Sequence, residues 1–217
     1  MKYRHLSIAL LVLLSFVPHD SHAAPQSKFT LYVFLSLDAR FQKQIGAQQG
    51  QTLRSLTARL YYPKSAGKPV MNASPDNSGN VRFSDLPSGS FLLEVHIGDQ
   101  LLYQRKLWLE SDVVMAVPIG QLTLVDQVTL DSKGSQYLRG KEFNSNAILG
   151  VGALDSNVGP RSRAAVLTIT SGRTRLKATM IPPKLATSFK ANGQLYIVGA
   201  TLRRTGNKVV LDCEVFK

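Results

Sequence analysis

Apolar and polar residues alternate with a period of two along most of this chain, a pattern that selects β-strands and leaves little room for helices. Phe91, Leu93, Val95 and Ile97 alternate with Leu92, Glu94 and His96, as a half-buried strand requires. Lys28–Leu37 sets Phe29, Leu31, Val33, Leu35 and Leu37 on one face. Tyr32 and Phe34 make its other face apolar too, which predicts a central strand. Further strands are predicted over Leu53–Tyr62, Asn80–Phe83, Leu101–Leu109, Val113–Val117 and Leu122–Leu130. Turn residues separate them at Pro63 to Pro69, Asp76-Asn77-Ser78-Gly79, Pro87-Ser88-Gly89 and Gly98-Asp99. Asp38–Gln49 suits either a short helix or a polar loop, and the loop is the favoured reading. Strands this close, joined by short turns, predict an all-β antiparallel sandwich and not a parallel α/β sheet.

Residues 131–162 break the pattern. Ser132-Lys133-Gly134-Ser135, Asn144-Ser145-Asn146 and Asp155-Ser156-Asn157 punctuate them, with Gly140, Gly150, Gly152 and Gly159 between, although Ala147–Leu154 retains strand character. From Arg163 the alternation returns as two predicted hairpins. The first joins Ala165–Thr170 to Arg173–Ile181 through Ser171-Gly172, and the second joins Leu195–Arg204 to Lys208–Phe216 through Thr205-Gly206-Asn207. The expected organisation is a leader at 1–23, a β-sandwich at 24–130, a Gly/Ser/Asn-rich connector at 131–162 and a small basic β domain at 163–217. That last unit would be a four-stranded open sheet or partial barrel.

The leader is read from Lys2 and Arg4, the apolar run Leu6–Val17, Pro18, and the small residues of Ser21-His22-Ala23. Its apolar run is shorter than the ~20 residues of a membrane-spanning helix, so cleavage after Ala23 and release of a periplasmic or secreted chain with no transmembrane segment are expected. The form of the leader is bacterial. Cleavage would remove His5, His19 and His22, leaving His96 and the single Cys213. That inventory argues against histidine-rich zinc sites, Cys/His catalysis and any intrachain disulfide. No cofactor or metal site is expected.

Charge is divided unevenly. Residues 24–132 carry 10 Lys and Arg against 9 Asp and Glu, whereas residues 133–217 carry 14 against 4. An excess of +10 in one segment suits contact with something anionic.

The stretch from Gly79 to Val95, Gly-Asn-Val-Arg-Phe-Ser-Asp-Leu-Pro-Ser-Gly-Ser-Phe-Leu-Leu-Glu-Val, resembles the carboxypeptidase-regulatory-like or transthyretin-like β-sandwich family. The shared features are a Gly-led strand, the Leu86-Pro87-Ser88-Gly89 turn, and Phe91 opening an alternating strand. Leu53–Tyr62 followed by Gly67-Lys68-Pro69-Val70 matches the segment that precedes them, so the resemblance covers about residues 50–118. It implies an immunoglobulin- or transthyretin-like sandwich acting as a non-catalytic accessory or binding module. Hydrolytic members of the family rely on several histidines and a Tyr-Arg-Gly-Ser ending, whereas this sequence has His96 and closes on Glu214-Val215-Phe216-Lys217.

Arg173, Arg175 and Lys177 stand at alternate positions of one predicted strand, so the pleat points all three to one side, ~6.7 Å apart. Arg203, Arg204 and Lys208 gather at the tip of the second hairpin. These six are the candidate anion-binding residues, with Arg161 and Arg163 extending the stripe and Tyr196 as a stacking platform. Cys213 shares the phase of Val209, Leu211 and Val215 and is expected to be buried and inert. His96 is expected at the surface beside Glu94, and Trp108 is expected to fill the core. No paired carboxylates, phosphate-cradling glycine loop or nucleophile motif is legible, so no catalytic residue is assigned.

The expectation is an exported, non-catalytic binding or scaffolding protein of the bacterial cell envelope. Its basic face would contact an anionic envelope component or an acidic protein surface, and a free sheet edge would suit a protein partner by strand addition. Nucleic acid ranks last among polyanions for an exported chain. The alternatives are a structural subunit of an envelope assembly, or an enzyme whose site is not legible as a motif.

Overall fold

The structure is a computed structural model that describes residues 27–38, 41, 43, 49–62, 67–139, 143, 147–162 and 166–217. The leader and Arg163 lie outside the described residues. Its strands in chain order are β1 (Lys28–Leu37), β2 (Leu56–Tyr61), β3 (Met71–Ala73), β4 (Asn80–Pro87), β5 (Gly89–Ile97), β6 (Gln100–Leu109), β7 (Val113–Ile119) and β8 (Leu124–Leu130). They continue with β9 (Ser135–Tyr137), β10 (Ala147–Val151), β11 (Val166–Ser171), β12 (Thr174–Thr179), β13 (Ala186–Ala191), β14 (Gln194–Thr205) and β15 (Lys208–Phe216). A short helix, α1 (Gln49–Arg54), precedes β2.

Three sheets stack. The central one has the order β4-β1-β7-β14-β15-β8, with β13 paired to β14 beside this path. A first outer sheet, β3-β2-β5-β6, covers one face, and a second, β12-β11-β10-β9, covers the other. Two cores fill the gaps. Leu31, Val33 and Leu35 of β1 and Val113, Met115 and Val117 of β7 meet Leu60, Phe91, Leu93 and Val95 of the first outer sheet. On the reverse face Val114, Ala116, Val198, Ala200, Leu202 and Leu211 meet Leu149, Leu167 and Ile169 of the second.

Strand β1 is interior, lying between β4 and β7, and its two apolar faces serve the two cores, as its sequence requires. Strand β7 is buried at all seven positions for the same reason. The all-β sandwich class is as expected, with one parallel pair, β1 with β7, among otherwise antiparallel ladders. The turn at Leu86-Pro87-Ser88-Gly89 carries the chain from the central sheet into the first outer sheet. Gly89 takes φ +146° there, and Phe91 re-enters the core fully buried.

Sheet membership crosses the expected division of the chain. Strands β14 and β15 do not pair with β11 and β12; they wedge between β7 and β8 in the central sheet. The second outer sheet instead combines β11 and β12 with β9 and β10, which arise from the stretch read as a connector. The five strands from residue 163 onward cannot cover both of their own faces, and burial is completed by distributing them over two sheets. Two local corrections follow the same logic. The strand expected over Leu53–Tyr62 begins at Leu56, because α1 buries Leu53 against the first core and closes when the Ser55 amide donates to the Gln51 and Thr52 carbonyls. Within the expected loop Asp38–Gln49, Phe41 and Lys43 are helical and Phe41 is buried, while most of the rest lies outside the described residues.

Candidate functional site

The basic stripe falls on the outer surface of the second outer sheet. A two-residue turn, Gly172-Arg173, joins β11 to β12, and pairing then sets Arg175 opposite Thr170 and Lys177 opposite Thr168. Leu176 and Ala178 pack against the core, so Arg175 and Lys177 share the solvent face and both are exposed. Arg173 is exposed in the turn beside them. No ion pair among the described residues engages any of the three. The register continues across the sheet, through Thr170 and Ile148 to Tyr137 and through Thr168 and Gly150 to Ser135. These rows surround a shallow depression of about 370 Å³, lined among others by Lys133, Gly150, Thr168, Thr170 and Arg175.

The second group of cations is divided: Arg204 and Lys208 line one cavity near the tip of the hairpin, and Arg203 turns away from it. Arg203 and Arg204 are consecutive on β14 and point to opposite faces. The Arg203 Nε donates to Asp212 Oδ2 at 2.6 Å, and its guanidinium also bonds the Thr205 hydroxyl. Arg204 donates to the Ser156 carbonyl at 2.6 Å in an exposed contact on the other side of the strand. Lys208 is exposed at the start of β15. Arg161 is exposed in a turn. Tyr196 is no platform: it is 2% exposed, stacked among Phe143 and Phe189 in the second core.

Arg203 belongs to a network that the linear pattern did not expose. Where the first core runs out beyond β7, β6 crosses over β14, β15 and β8, and polar groups replace apolar ones. Arg105 lies 3.2 Å from Glu214 and 3.4 Å from Asp212, and donates to the Thr201 hydroxyl at 2.7 Å. The Tyr103 hydroxyl donates to Glu214 at 2.7 Å, Gln127 donates to Glu214 at 2.9 Å, and Thr129 donates to Asp212 at 2.7 Å. The side chains are nearly enclosed, Arg105 at 14% exposure and Glu214 at 5%. Burial together with the Glu214 charge pushes the Tyr103 hydroxyl well above its ordinary pKa. Burial opposes the Arg105 charge, but Tyr103, Glu214 and Asp212 outweigh it and tighten the hold on its proton. Each charged group is answered within the network, so the cluster works as an inter-sheet clasp. The signal was present in the sequence: Arg105 shares the inward phase of Tyr103, Leu107 and Leu109, and a charge in that phase requires a buried partner.

Three single residues also differ from expectation. His96 is buried, not superficial, with Nε2 2.8 Å from Glu94 Oε2. Burial raises the Glu94 pKa, yet hydrogen bonds from His96, Gln104 and Tyr61 prevail and hold its carboxyl below the usual range. Trp108 is 59% exposed on the outer face of β6, where Leu107 and Leu109 take the core positions. Cys213 is buried, and desolvation with Asp212 nearby pushes its thiol up to about 12, so it stays neutral and unreactive. Among the described residues no cluster of three or more His, Cys, Asp or Glu could hold a metal ion, and no helix is long and apolar enough to cross a membrane.

Fold and surface together define an all-β layered sandwich. No protein-family model and no curated protein matches the chain, so the transthyretin-like resemblance rests on its residues alone. Among solved structures the chain is similar to a DUF3823 family protein from Parabacteroides merdae, at 10% identity and a TM-score of 0.30, with 86% of this chain and 96% of that one covered. It is also similar to a leucine-rich repeat protein from Bacteroides thetaiotaomicron, at 8% identity and a TM-score of 0.26, covering 84% of this chain and 23% of that one.

Proposed function

We propose that the protein is an exported, non-catalytic binding protein of the cell envelope, and that Arg173, Arg175 and Lys177 contact an anionic partner. One observation carries the reading: the side chains of Arg175 and Lys177 stand together on an exposed sheet face, with Arg173 in the adjoining turn and no carboxylate pairing with any of them among the described residues. Cations in such a setting keep their full field for an external anion, whereas Arg203 spends its charge on Asp212. The leader supports export, and the Leu86–Gly89 turn between sheets supports a transthyretin-like module.

The test is retention of residues 24–217 on a sulfated-polysaccharide resin and on vesicles containing anionic lipid. Wild-type protein should bind at low salt and release as salt screens the contact. The triple variant Arg173→Glu, Arg175→Glu, Lys177→Glu should not be retained. An equal charge change at Lys68, Lys184 and Lys190, all exposed elsewhere, should leave retention largely intact. Unchanged retention of the first variant overturns the reading.

A further inference from the structure

We propose that the outer face of the first outer sheet is a binding site for a neutral saccharide, with Trp108 as its stacking surface and Tyr61, Glu94 and Lys106 at the sugar's edge. The site is distinct from the basic hairpin, which belongs to the other outer sheet, and stands independently of the function proposed above.

The placement follows from register. Tyr61 of β2 pairs with Leu92 of β5, which pairs with Lys106 of β6; one row along, Ser90 pairs with Trp108. All five side chains share the solvent phase, because Leu60, Phe91, Leu93, Leu107 and Leu109 take the core phase on the same strands. A cavity of about 630 Å³ opens here, lined by Tyr61, Tyr62, Ser90, Leu92, Glu94 and Lys106. That volume is within the usual range for small-ligand sites. Trp108 does not line the cavity itself; it stands beside the lining residues on the same face, paired with Ser90 and two residues from Lys106.

The chemistry selects the ligand class. An indole exposed to this degree leaves a large apolar ring in water while contributing nothing to the core beneath. A pyranose ring offers the matching surface, an apolar C–H face bounded by hydroxyls that both donate and accept. The lining supplies both roles, the Lys106 ammonium and the Ser90 hydroxyl as donors and the Glu94 carboxylate as acceptor. Glu94 is already oriented by hydrogen bonds from His96 at 2.8 Å and Gln104 at 2.8 Å. With one cation and one carboxylate the lining carries no net sign, which favours an uncharged sugar over an acidic one.

Trp108 is the single tryptophan of the chain, so fluorescence excited beyond the tyrosine absorption band reports on this surface alone. Residues 24–217 would be titrated with cellotetraose, maltotetraose, xylotetraose and tetra-N-acetylchitotetraose, and with a tetragalacturonate as the acidic comparison. The expected result is a saturable blue shift with at least one neutral tetrasaccharide. Tyr61→Ala and Lys106→Ala should each weaken it about tenfold or more. Arg175→Glu should leave it unchanged, which separates this site from the basic hairpin. Lys106 is exposed, so Lys106→Ala keeps the test decisive even if Tyr61→Ala lowers the melting temperature. Calorimetry on Trp108→Ala should show binding lost. No saturable response to any neutral sugar, a response to tetragalacturonate alone, or a response indifferent to Lys106→Ala and Trp108→Ala overturns the proposal.

Discussion

At the scale of single residues, Arg105 decides how two sheets meet. Its guanidinium is shared by Asp212 and Glu214, and removing it leaves Glu214 enclosed without a counter-charge, while Asp212 keeps Arg203. Arg105→Ala should therefore lower the unfolding free energy by about 3–5 kcal/mol in urea titrations, far more than an exposed pair would. Adding Glu214→Gln on that background should restore part of the loss, and a purely additive result would contradict the clasp. Residue-level reading of the sequence succeeded where one phase decides everything, as for Cys213 in step with Leu211 and Val215. It failed where exposure depends on a neighbouring strand. Tyr196 is aromatic on a basic hairpin and looked available, but β14 enters the middle of the central sheet and encloses it. Trp108 has the composition of a core residue and the phase of a surface one, and phase prevailed.

At the scale of elements, the hinge in partnership along β14 depends on one contact. Strand β14 pairs with β7 at Thr201 and Leu202, then turns to β13 from Gly199 toward Gln194. The change of partner coincides with Pro118 of β7, which has no amide to donate. A Cβ at Gly199 would lie 2.8 Å from the Pro118 Cδ and 3.1 Å from the Ala116 carbonyl, so the strands approach only because that position is glycine. Gly199→Ala should lower the melting temperature by several degrees or more, whereas Gly150→Ala, which meets only ordinary contacts, should be close to neutral. Most strands were legible because half-burial imposes alternation, and β1 and β7 announced their interior position by being apolar on both faces. Strand β13 was missed although Asn192-Gly193 stands before β14 with both residues at positive φ, a strong hairpin signal. Strands β3 and β9, three residues each, are too short to show a period. No local pattern reveals which sheet a hairpin joins, so the expected C-terminal module was drawn from strand order alone.

At the scale of the whole molecule, the cores are shared between distant parts of the chain. Strands β14 and β15 supply Val198, Ala200, Leu202, Leu211 and Val215 to one core and hold β8 in the central sheet. A fragment of residues 24–130 should consequently lack cooperative thermal unfolding and a dispersed amide spectrum, although it contains the entire region of family resemblance. A sharp, reversible transition in that fragment would show that the sandwich is self-sufficient.

The seating of β14 and β15 between β7 and β8 also fixes a timetable. Strands β7 and β8 are consecutive in the chain, yet they become joined only through a hairpin that follows them by more than sixty residues. A polypeptide delivered from its amino end, whether from a ribosome or through a translocation channel, holds the two parts of its central sheet unconnected until delivery is nearly done. Premature closure is thereby blocked by topology, and such a chain stays threadable for as long as it is still arriving.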